Sequence, residues 1–453
     1  MDIGSLLTTG HQARLIPTVA DSKKEERATS SLLATFMAVP IFAKEILAEA
    51  GAPVGKRVKF NCYTEVSFKT DGKSKQSRPD GLIVVSGGTK QWTALVESKV
   101  GSNELTPDQV ETYLRLSKQL GFDALITISN QFATVPIHHP LNVSKSLLKS
   151  VKLYHFSWLS LKSKAVLLTG NKQIEDTEQA FILSELVRYL DHPSSGVSEL
   201  NRMPTEWKDL CDAIQQGAVL SKSSSVVEQS VSGWQQLLRY LALNLSMSIA
   251  EPVKLALSRA RERSSEANFQ EGCIELSKEH VLPADFEIPN AAAKLHLSAD
   301  VLRRTLNISM KLEAPKDKYR ATASINWLTR QLKQVSPESV SIRAYWPKRI
   351  AMTTSTLADA LADPRCLIPG SIKDLPTYLE VIRVVDLAGR FRGAKTFVED
   401  CSTAFPKFYQ DVGQHLSRWI AEAPKVKKAA EEQTIPTIFN RLEPIDEDRS
   451  QEA

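Results

Sequence analysis

The hydrophobic residues near the N-terminus recur with the spacing of a helix. Leu32, Leu33 and Phe36 fall on one side of a helix with 3.6 residues per turn. This pattern predicts a helix over residues 24–49. Because proline lacks the backbone N–H that a helix interior uses, Pro40 is expected to kink the helix or to end its first segment.

Further along the chain, apolar residues come in short runs that are rich in β-branched side chains and bounded by polar turns. Such runs predict strands, and they cover residues 61–68, 82–85, 92–100, 123–129 and 152–158. Between the third and fourth runs, Thr106-Pro107 predicts the start of a helix, since threonine caps helices and proline favours the first helical position. The order of these elements predicts an α/β fold.

A glycine-rich turn between the second and third predicted strands sets their register. If the hairpin centres after Gly88, Gly81 lies opposite Val96. Opposed residues of antiparallel strands share a face, with Cβ atoms roughly 4.5–5.5 Å apart. Asp80 and Glu97 are therefore expected to lie side by side at one end of the sheet.

Lys99 adds a positive charge to this cluster, because a period of two along a strand puts it on the same face as Glu97. Two adjacent carboxylates repel each other unless a cation lies between them, and Mg²⁺ and Mn²⁺ prefer oxygen ligands. The pattern predicts a divalent-metal site with Asp80, Glu97 and the backbone carbonyl of Ser98 as ligands. The alternative is a surface salt-bridge ladder, which would contribute little.

Three short motifs in this region resemble the signature of a nuclease superfamily. The motifs are Pro79-Asp80, Glu97-x-Lys99 and Gln109-x-x-x-Tyr113. Over residues 20–160 the chain resembles the PD-(D/E)xK nucleases, and the third motif resembles that of their RecB-like exonuclease branch. The resemblance implies a restriction-endonuclease-like αβββαβ core. Ser98 departs from the family pattern, where an apolar residue is more usual, and this indicates a less buried outer face of the strand.

The resemblance also implies a role for each residue of the motifs. Asp80 and Glu97 are expected to bind Mg²⁺ or Mn²⁺, which activates a water molecule for hydrolysis of a phosphodiester bond. Lys99 is expected to stabilise the transition state. Gln109 and Tyr113 lie four residues apart on one face of the predicted helix, and they are expected to position the scissile strand.

The family further implies a glutamate on the first helix that points into the metal site. Glu25 falls in the same stripe as Leu32 and Phe36, whereas Glu26 lies further round the helix, so Glu25 is favoured. Ser22 followed by Glu25 also fits a capping box. A purely structural role for Glu25 at the helix start therefore stays open.

Basic residues are concentrated just before the predicted metal site. Between positions 56 and 78, seven basic residues stand against two acidic ones, and the basic ones are Lys56, Arg57, Lys59, Lys69, Lys73, Lys75 and Arg78. Lys73, Lys75 and Arg78 lead directly into Asp80, so they are expected to bind the phosphate backbone of a substrate. A solvated loop is the alternative, and Glu65 either lines the cleft or faces solvent.

The overall composition is that of a globular protein. Of 453 residues, 42% are hydrophobic and 24% charged, and the formal net charge is +5. No apolar run approaches the roughly 20 residues of a membrane span, and the first residues lack a signal-peptide pattern. The five cysteines are far apart, which disfavours structural zinc and disulfides and predicts a cytoplasmic protein without a membrane partner. His138-His139 is expected in a surface loop.

The remaining chain carries no motif of its own. We expect a nuclease-like domain over residues 1–200, a serine-rich linker over 201–230, an α+β domain over 231–430 and a disordered tail over 431–453. Helical and strand-like patterns alternate in the α+β domain. Its role is open, and both a homodimer and a partner protein bound through it are compatible with the sequence.

The sequence therefore favours a metal-dependent nuclease, and the resemblance favours DNA over RNA as its substrate. Two alternatives stay open. One is a nucleic-acid-binding or protein-interaction module that keeps the fold but cleaves nothing, and the other is an RNase with the same metal site. Neither the choice between endo and exo cleavage nor the sequence specificity follows from the residues.

Overall fold

A computed structural model describes residues 6–68, 78–87, 90–370 and 372–421 of the chain. The residues up to 191 form a mixed sheet with helices. The strands are β1 (Leu7–Gln12), β2 (Lys59–Phe68), β3 (Gly81–Gly87), β4 (Lys90–Ser98), β5 (Ala124–Ser129) and β6 (Lys152–Ser157), and the helices are α1 (Lys24–Ala38), α2 (Pro40–Glu49), α3 (Pro107–Leu120), α4 (Trp158–Gly170) and α5 (Thr177–Asp191).

The first sheet has six strands in the order of the chain, β1 to β6. Strands β1 to β4 are antiparallel neighbours, and β5 and β6 continue the sheet in parallel with β4. The elements α1, β2, β3, β4, α3 and β5 follow one another in this order, with β1 before them and α2 between α1 and β2. The chain is an α/β protein.

Helices α1 and α2 replace the single predicted helix, and Pro40 explains the division. It opens α2, and the two helix axes are bent by 111°. The predicted cap at the start of α1 is wrong, because Lys23 occupies the cap position and no side chain bonds to the free backbone N–H groups there. Ser22 therefore plays no capping role.

The first sheet is covered on both faces, which explains why its central strands are apolar almost throughout. Ile83, Val96 and Ile126 point to the side that packs against α1, α2, α4 and α5. Leu95 and Leu125 point to the opposite side, where they pack against helix α3. The ends of β3 and β4 are therefore held between two layers of helices, and the polar side chains at those ends sit in a largely dry environment.

A second sheet follows, with its own helices. The helices are α6 (Glu206–Gln215), α7 (Ser225–Ile249), α8 (Arg259–Arg263), α9 (Ser265–Glu279), α10 (Ala321–Gln331), α11 (Leu357–Ala362) and α12 (Ala394–Asp411), and the strands are β7 (Lys254–Leu255), β8 (Val281–Glu287), β9 (Leu295–Asp300), β10 (Thr305–Glu313), β11 (Ser341–Tyr345), β12 (Thr353–Thr356) and β13 (Tyr378–Asp386). Its seven strands are antiparallel throughout, in the order β12-β11-β13-β10-β9-β8-β7.

Residues 201–230, predicted as a linker, include the packed helix α6. Its Trp207 and Leu210 are fully buried in the core of the second sheet, and the indole N–H of Trp207 donates to the carbonyl of Phe391. These ten residues therefore belong to a hydrophobic core and not to an unpacked linker. The predicted tail, residues 431–453, lies outside the described residues.

A helix that crosses a membrane by itself needs about 20 predominantly apolar residues. Among the described helices, none is long and apolar enough by itself to cross a bilayer. The bent pair α1–α2 meets the length and composition requirement only when its two members are taken together.

Gly81 is the position where helix α1 approaches the sheet most closely. A Cβ atom at Gly81 would lie 2.6 Å from Leu33 Cδ1 and 3.2 Å from the Tyr63 carbonyl oxygen. We therefore expect Gly81→Ala to lower the free energy of unfolding by about 1–3 kcal/mol through overpacking. Gly55→Ala is the matched control, because nothing lies within 4 Å of its Cβ. Urea titration checks both, and equal unfolding midpoints for the two variants would contradict the expectation.

Candidate active site

The pairing of β3 with β4 brings the predicted site together. Gly81 lies opposite Val96, as the position of the turn predicted. Gly88 and Thr89 themselves lie outside the described residues. This register places Asp80 and Glu97 at the same end of the sheet, and the backbone N–H of Ser98 donates to Asp80 Oδ2 at 2.8 Å. The carboxylate of Asp80 is close enough to raise the pKa of Glu97, and that of Glu25 raises the pKa of Asp80.

Lys99 links Glu97 on β4 to Glu25 on helix α1. Its Nζ lies 2.7 Å from Glu97 Oε1 and 3.4 Å from Glu25 Oε2. The other oxygen of Glu25 accepts a hydrogen bond from Asn103 Nδ2 at 2.7 Å. Glu25 therefore points into the cluster, as expected, whereas Glu26 pairs with Lys23 at the helix surface. No motif pointed to Asn103, which lies in the loop between β4 and α3.

Helix α3 supplies two side chains that contact the cluster. Thr106 caps the helix by accepting from the backbone N–H of Gln109, as its sequence predicted. Gln109 Nε2 donates to Glu97 Oε1 at 2.6 Å, and the Tyr113 hydroxyl donates to the carbonyl of Arg78 at 3.2 Å. Gln109 therefore orients the side chain of Glu97, and Tyr113, four residues later on the same helix face, holds the backbone that leads into Asp80.

Ser98 is completely buried, so the expectation of a less buried outer face is wrong. Its hydroxyl lies 2.5 Å from the hydroxyl of Thr29 on α1 and 3.2 Å from Asp80 Oδ2. A serine is therefore accommodated in this dry position because its polar atoms are paired. Whether the Ser98 carbonyl binds a cation stays a prediction.

The backbone of Lys99 is fixed by two long-range hydrogen bonds. Its N–H donates to the carbonyl of Ile128 on β5 at 2.8 Å, and its carbonyl accepts from Nε1 of Trp158 at 2.9 Å. Trp158 is fully buried at the start of α4. No sequence pattern pointed to Trp158, since it is 59 positions from the residue that it anchors.

Burial raises the pKa of both carboxyls, and repulsion from neighbouring carboxylates adds to the rise. Burial, followed by the charge of Asp80, raises the pKa of Glu97 to about 8, and Lys99 only partly opposes this. The pKa of Asp80 is raised to about 6, mainly by burial. Burial alone would lower the pKa of Lys99, but the charges of Glu97 and Asp80 outweigh it and raise that pKa. Without a further cation, the site therefore favours the protonated form of Glu97 at neutral pH.

One oxygen of this cluster suits an additional cation. Glu97 is 2% exposed, and its Oε1 accepts from both Lys99 and Gln109, whereas its Oε2 is buried without a hydrogen-bond partner among the described residues. An unpaired buried carboxylate oxygen is costly. A divalent cation at Oε2 would satisfy it and would offset the repulsion from Asp80. Mg²⁺ sites commonly use only one or two carboxylates and fill the remaining positions with water and phosphate oxygens.

A cleft of about 390 Å³ adjoins Asp80, between the segment after β1 and the start of β3. Glu65 lines this cleft and pairs with the exposed Arg78 at 2.7 Å, which resolves the two alternatives for Glu65. Glu65 has a positive φ of 53°, and its N–H donates to the carbonyl of Asp80. This irregular strand position aims its side chain at Arg78. Lys73 and Lys75 lie outside the described residues.

Next to Glu97 in the sheet lies a cluster of uncharged polar side chains, which are Thr127, His139 and His155. Thr127 lies opposite Glu97 on β5, and His155 lies opposite Thr127 on β6. His139 accepts from the Leu141 N–H through Nδ1, so its Nε2–H donates to the Thr127 hydroxyl. That hydroxyl lies within hydrogen-bond distance of two acceptors, the Tyr154 carbonyl at 3.1 Å and Nδ1 of His155 at 2.9 Å. Burial lowers the pKa of His155 to about 4 and that of His139 to about 3.

The expectation that His138-His139 is a surface pair is therefore wrong. His138 is 5% exposed and bonds through Nε2 to the carbonyl of Glu262, while His139 reaches the sheet. The following proline suggested a loop, and the segment is a loop, but it folds inward. Only long-range contacts decided this.

The raised carboxyl pKa values predict how stability depends on pH. Folding raises the pKa of Glu97 from 4.5 to about 8, so between these pH values its carboxyl holds a proton more often in the folded protein than in the unfolded chain. The lowered pKa values of His138, His139 and His155 act in the opposite direction below pH 6.5, so the contribution of Glu97 is measured as a difference between variants. In EDTA, raising the pH from 5 to 8 should lower the melting temperature of the wild type relative to that of Glu97→Gln. Mg²⁺ at pH 8 should raise the melting temperature of the wild type but not of this variant.

Glu178→Gln is the control, because Glu178 is exposed in the first turn of α5. Differential scanning fluorimetry at pH 5 and pH 8 makes the comparison. If the melting temperatures of the wild type and Glu97→Gln change by the same amount between pH 5 and pH 8, ionisation of Glu97 does not contribute to the pH dependence of stability.

In comparisons with known proteins, no family model, no curated protein and no solved structure matches this chain. The function has to be inferred from the arrangement of the site itself.

Proposed function

We propose that the chain is a nuclease that depends on Mg²⁺ or Mn²⁺ and hydrolyses phosphodiester bonds, with DNA favoured as its substrate. One observation carries the proposal. Glu97 pairs with the ammonium group of Lys99 at the end of two paired strands, close enough to Asp80 for the two carboxyls to repel, and Glu97 Oε2 is buried without a partner among the described residues. A surface salt-bridge ladder would not bury Glu97 to 2% exposure.

Asp80 and Glu97 would hold the cation through their carboxylate oxygens, with the Ser98 carbonyl as a further ligand. A bound divalent cation lowers the pKa of water and neutralises charge on a phosphodiester. Lys99 would stabilise the negative charge that develops as the water oxygen bonds to phosphorus and the bond to the leaving oxygen breaks. Its ammonium is already held by Glu97 and Glu25, so little reorganisation is needed.

The roles proposed for α3 follow from its contacts. Gln109 donates to Glu97 Oε1 and would keep the other carboxylate oxygen turned towards the cation. Tyr113 holds the backbone at Arg78, next to the cleft that would receive the scissile strand. Both residues act on groups that contact the metal or the substrate, so their substitution would disturb orientation more than charge.

A restriction-endonuclease-like core is part of the proposal. The succession α1, β2, β3, β4, α3 and β5, with β4 and β5 parallel, has the αβββαβ order that the motif resemblance implies. The preference for DNA rests on that resemblance alone, and fold analogy by itself does not assign a substrate.

Loss of the cluster should abolish cleavage. We expect Asp80→Asn and Lys99→Ala each to lower the rate of phosphodiester hydrolysis roughly 100-fold or more, because each removes a group that stabilises the developing charge. Supercoiled plasmid, linear DNA and single-stranded RNA, each with Mg²⁺ or Mn²⁺, are the substrates. Asp108→Asn is the matched control, since Asp108 lies exposed at the start of α3 beside Gln109.

The same experiment separates the alternatives. Cleavage of RNA alone would indicate an RNase, and the product lengths would distinguish endo from exo cleavage. If the wild type cuts none of the substrates but binds them as tightly as both variants do, a non-cleaving module becomes the better explanation.

Arg78 should affect substrate binding more than chemistry. Its side chain is 56% exposed beside the Asp80 cleft, where a phosphate would replace Glu65 as its partner. We expect Arg78→Ala to raise KM about 10-fold with kcat largely retained, as for a lost charge-assisted contact. Arg115→Ala is the control, because Arg115 is 60% exposed on α3 and pairs within its own helix. Steady-state kinetics would contradict this role if kcat fell while KM stayed constant.

A further inference from the structure

The second sheet carries a cavity of about 620 Å³, which lies where β8 and β10 end and β13 begins. Its size lies within the range of small-ligand sites, roughly 300–1,000 Å³. Tyr378 and Trp419 supply aromatic walls, and residues 291–293, three alanines, form part of its lining. Tyr378 is 40% exposed, so its ring is available to a ligand.

Three cations line the same cavity, and two of them have no carboxylate partner among the described residues. Lys294 pairs with Glu287 at 3.2 Å. The Nζ of Lys311 instead lies over the ring of Tyr345 at 3.7 Å and near that of Tyr378 at 4.8 Å. The guanidinium of Arg418 donates to the carbonyl of Ala291, its one hydrogen bond within the part of the chain that the structure describes.

Each carboxylate that lines the cavity forms an ion pair with a lysine. Glu287 is paired with Lys294, and Glu313 lies 3.3 Å from Lys316. Neither Lys311 nor Arg418 has a salt-bridge partner among the described residues. Glu380 lies opposite Lys311 in the register of β10 with β13, but it accepts from the Tyr345 hydroxyl and pairs with Arg343. A third ring adds to those of Tyr378 and Trp419, since Tyr345 is directly opposite Tyr378 in the register of β11 with β13.

We propose that this cavity binds single-stranded nucleic acid, with a base against Trp419 and Tyr378 and a phosphate between Lys311 and Arg418. Stacking of bases on aromatic rings beside cations that contact phosphate is how single strands are bound without sequence preference. A duplex would keep its bases paired and unavailable to the rings. An acidic peptide would satisfy the cations but would leave the rings without a stacking partner.

The pocket deepens the proposed function, because it would let the second sheet hold a single-stranded part of the substrate, and this assignment as substrate rests on the nuclease proposal. Binding itself does not depend on cleavage. Variants of the pocket and variants of the metal site therefore give independent results.

Fluorescence anisotropy of the full-length chain in EDTA tests the pocket. The probe is a labelled oligodeoxythymidylate of about 15 nucleotides, near the upper end of the length that one binding fold covers. We expect Trp419→Ala to weaken binding about 10-fold and Trp419→Phe to retain most of the affinity, since a ring remains. Lys311→Ala should weaken binding similarly and should reduce the salt dependence by about 0.7 in the logarithmic slope, as for one lost phosphate contact.

The control is Lys395→Ala, which removes a cation that is 76% exposed on α12 and does not line the cavity. Equal affinities for the wild type, Lys311→Ala and Trp419→Ala would overturn the proposal, and so would an equal loss in Lys395→Ala. Competition by polyglutamate as strong as that by the oligonucleotide would also overturn it.

The two proposals fail in different ways. If Lys311→Ala weakens oligonucleotide binding while the wild type cleaves nothing, the pocket stands and the nuclease proposal falls. Hydrolysis of bis(p-nitrophenyl) phosphate, a phosphodiester too small to reach from the metal site to a second cavity, should be unchanged by Lys311→Ala and Trp419→Ala. Loss of that hydrolysis in either variant would show that the cavity supports the first site structurally and is not a separate binding site.

Discussion

The register between β3 and β4 is the constraint on which the candidate site depends. With Gly81 opposite Val96, Asp80 and Glu97 meet at the end of the sheet, and Lys99 follows on the same face. A shift by one residue would turn every side chain of one strand to the other face. Such a shift is opposed by the close approach of α1 at Gly81 and by the apolar residues on both faces of these strands. The packing that forms the core therefore also brings the site residues together.

This arrangement places like charges close together where water is largely excluded. The surrounding contacts lower the free-energy cost of that repulsion and burial. Lys99 lies against Glu97 and Glu25, and Gln109 donates to the same oxygen of Glu97. What remains unsatisfied is one carboxylate oxygen, and the raised pKa of Glu97 expresses that imbalance. A structural ion pair would gain nothing from keeping such an oxygen, whereas a cation site needs one.

The motif residues could be predicted because strand and helix periodicity relate neighbours in sequence to neighbours in space. The period of two relates Glu97 to Lys99, and the four-residue spacing relates Gln109 to Tyr113. Thr29 and Trp158 could not be found in this way. Trp158 lies 59 positions from Lys99, and Thr29 lies 69 positions from Ser98, so nothing local links either pair.

By itself, the sequence determined the α/β class, the element order around the site, and the hairpin register that pairs Asp80 with Glu97, because hydrophobic periodicity and turn residues act over a few positions. Tertiary structure alone decided that Ser98 is buried, that His139 reaches Thr127, and that residues 206–215 join the second core. The reason is physical. A polar residue can be buried whenever a partner from a distant element satisfies it, and that partner is known only once the chain has folded.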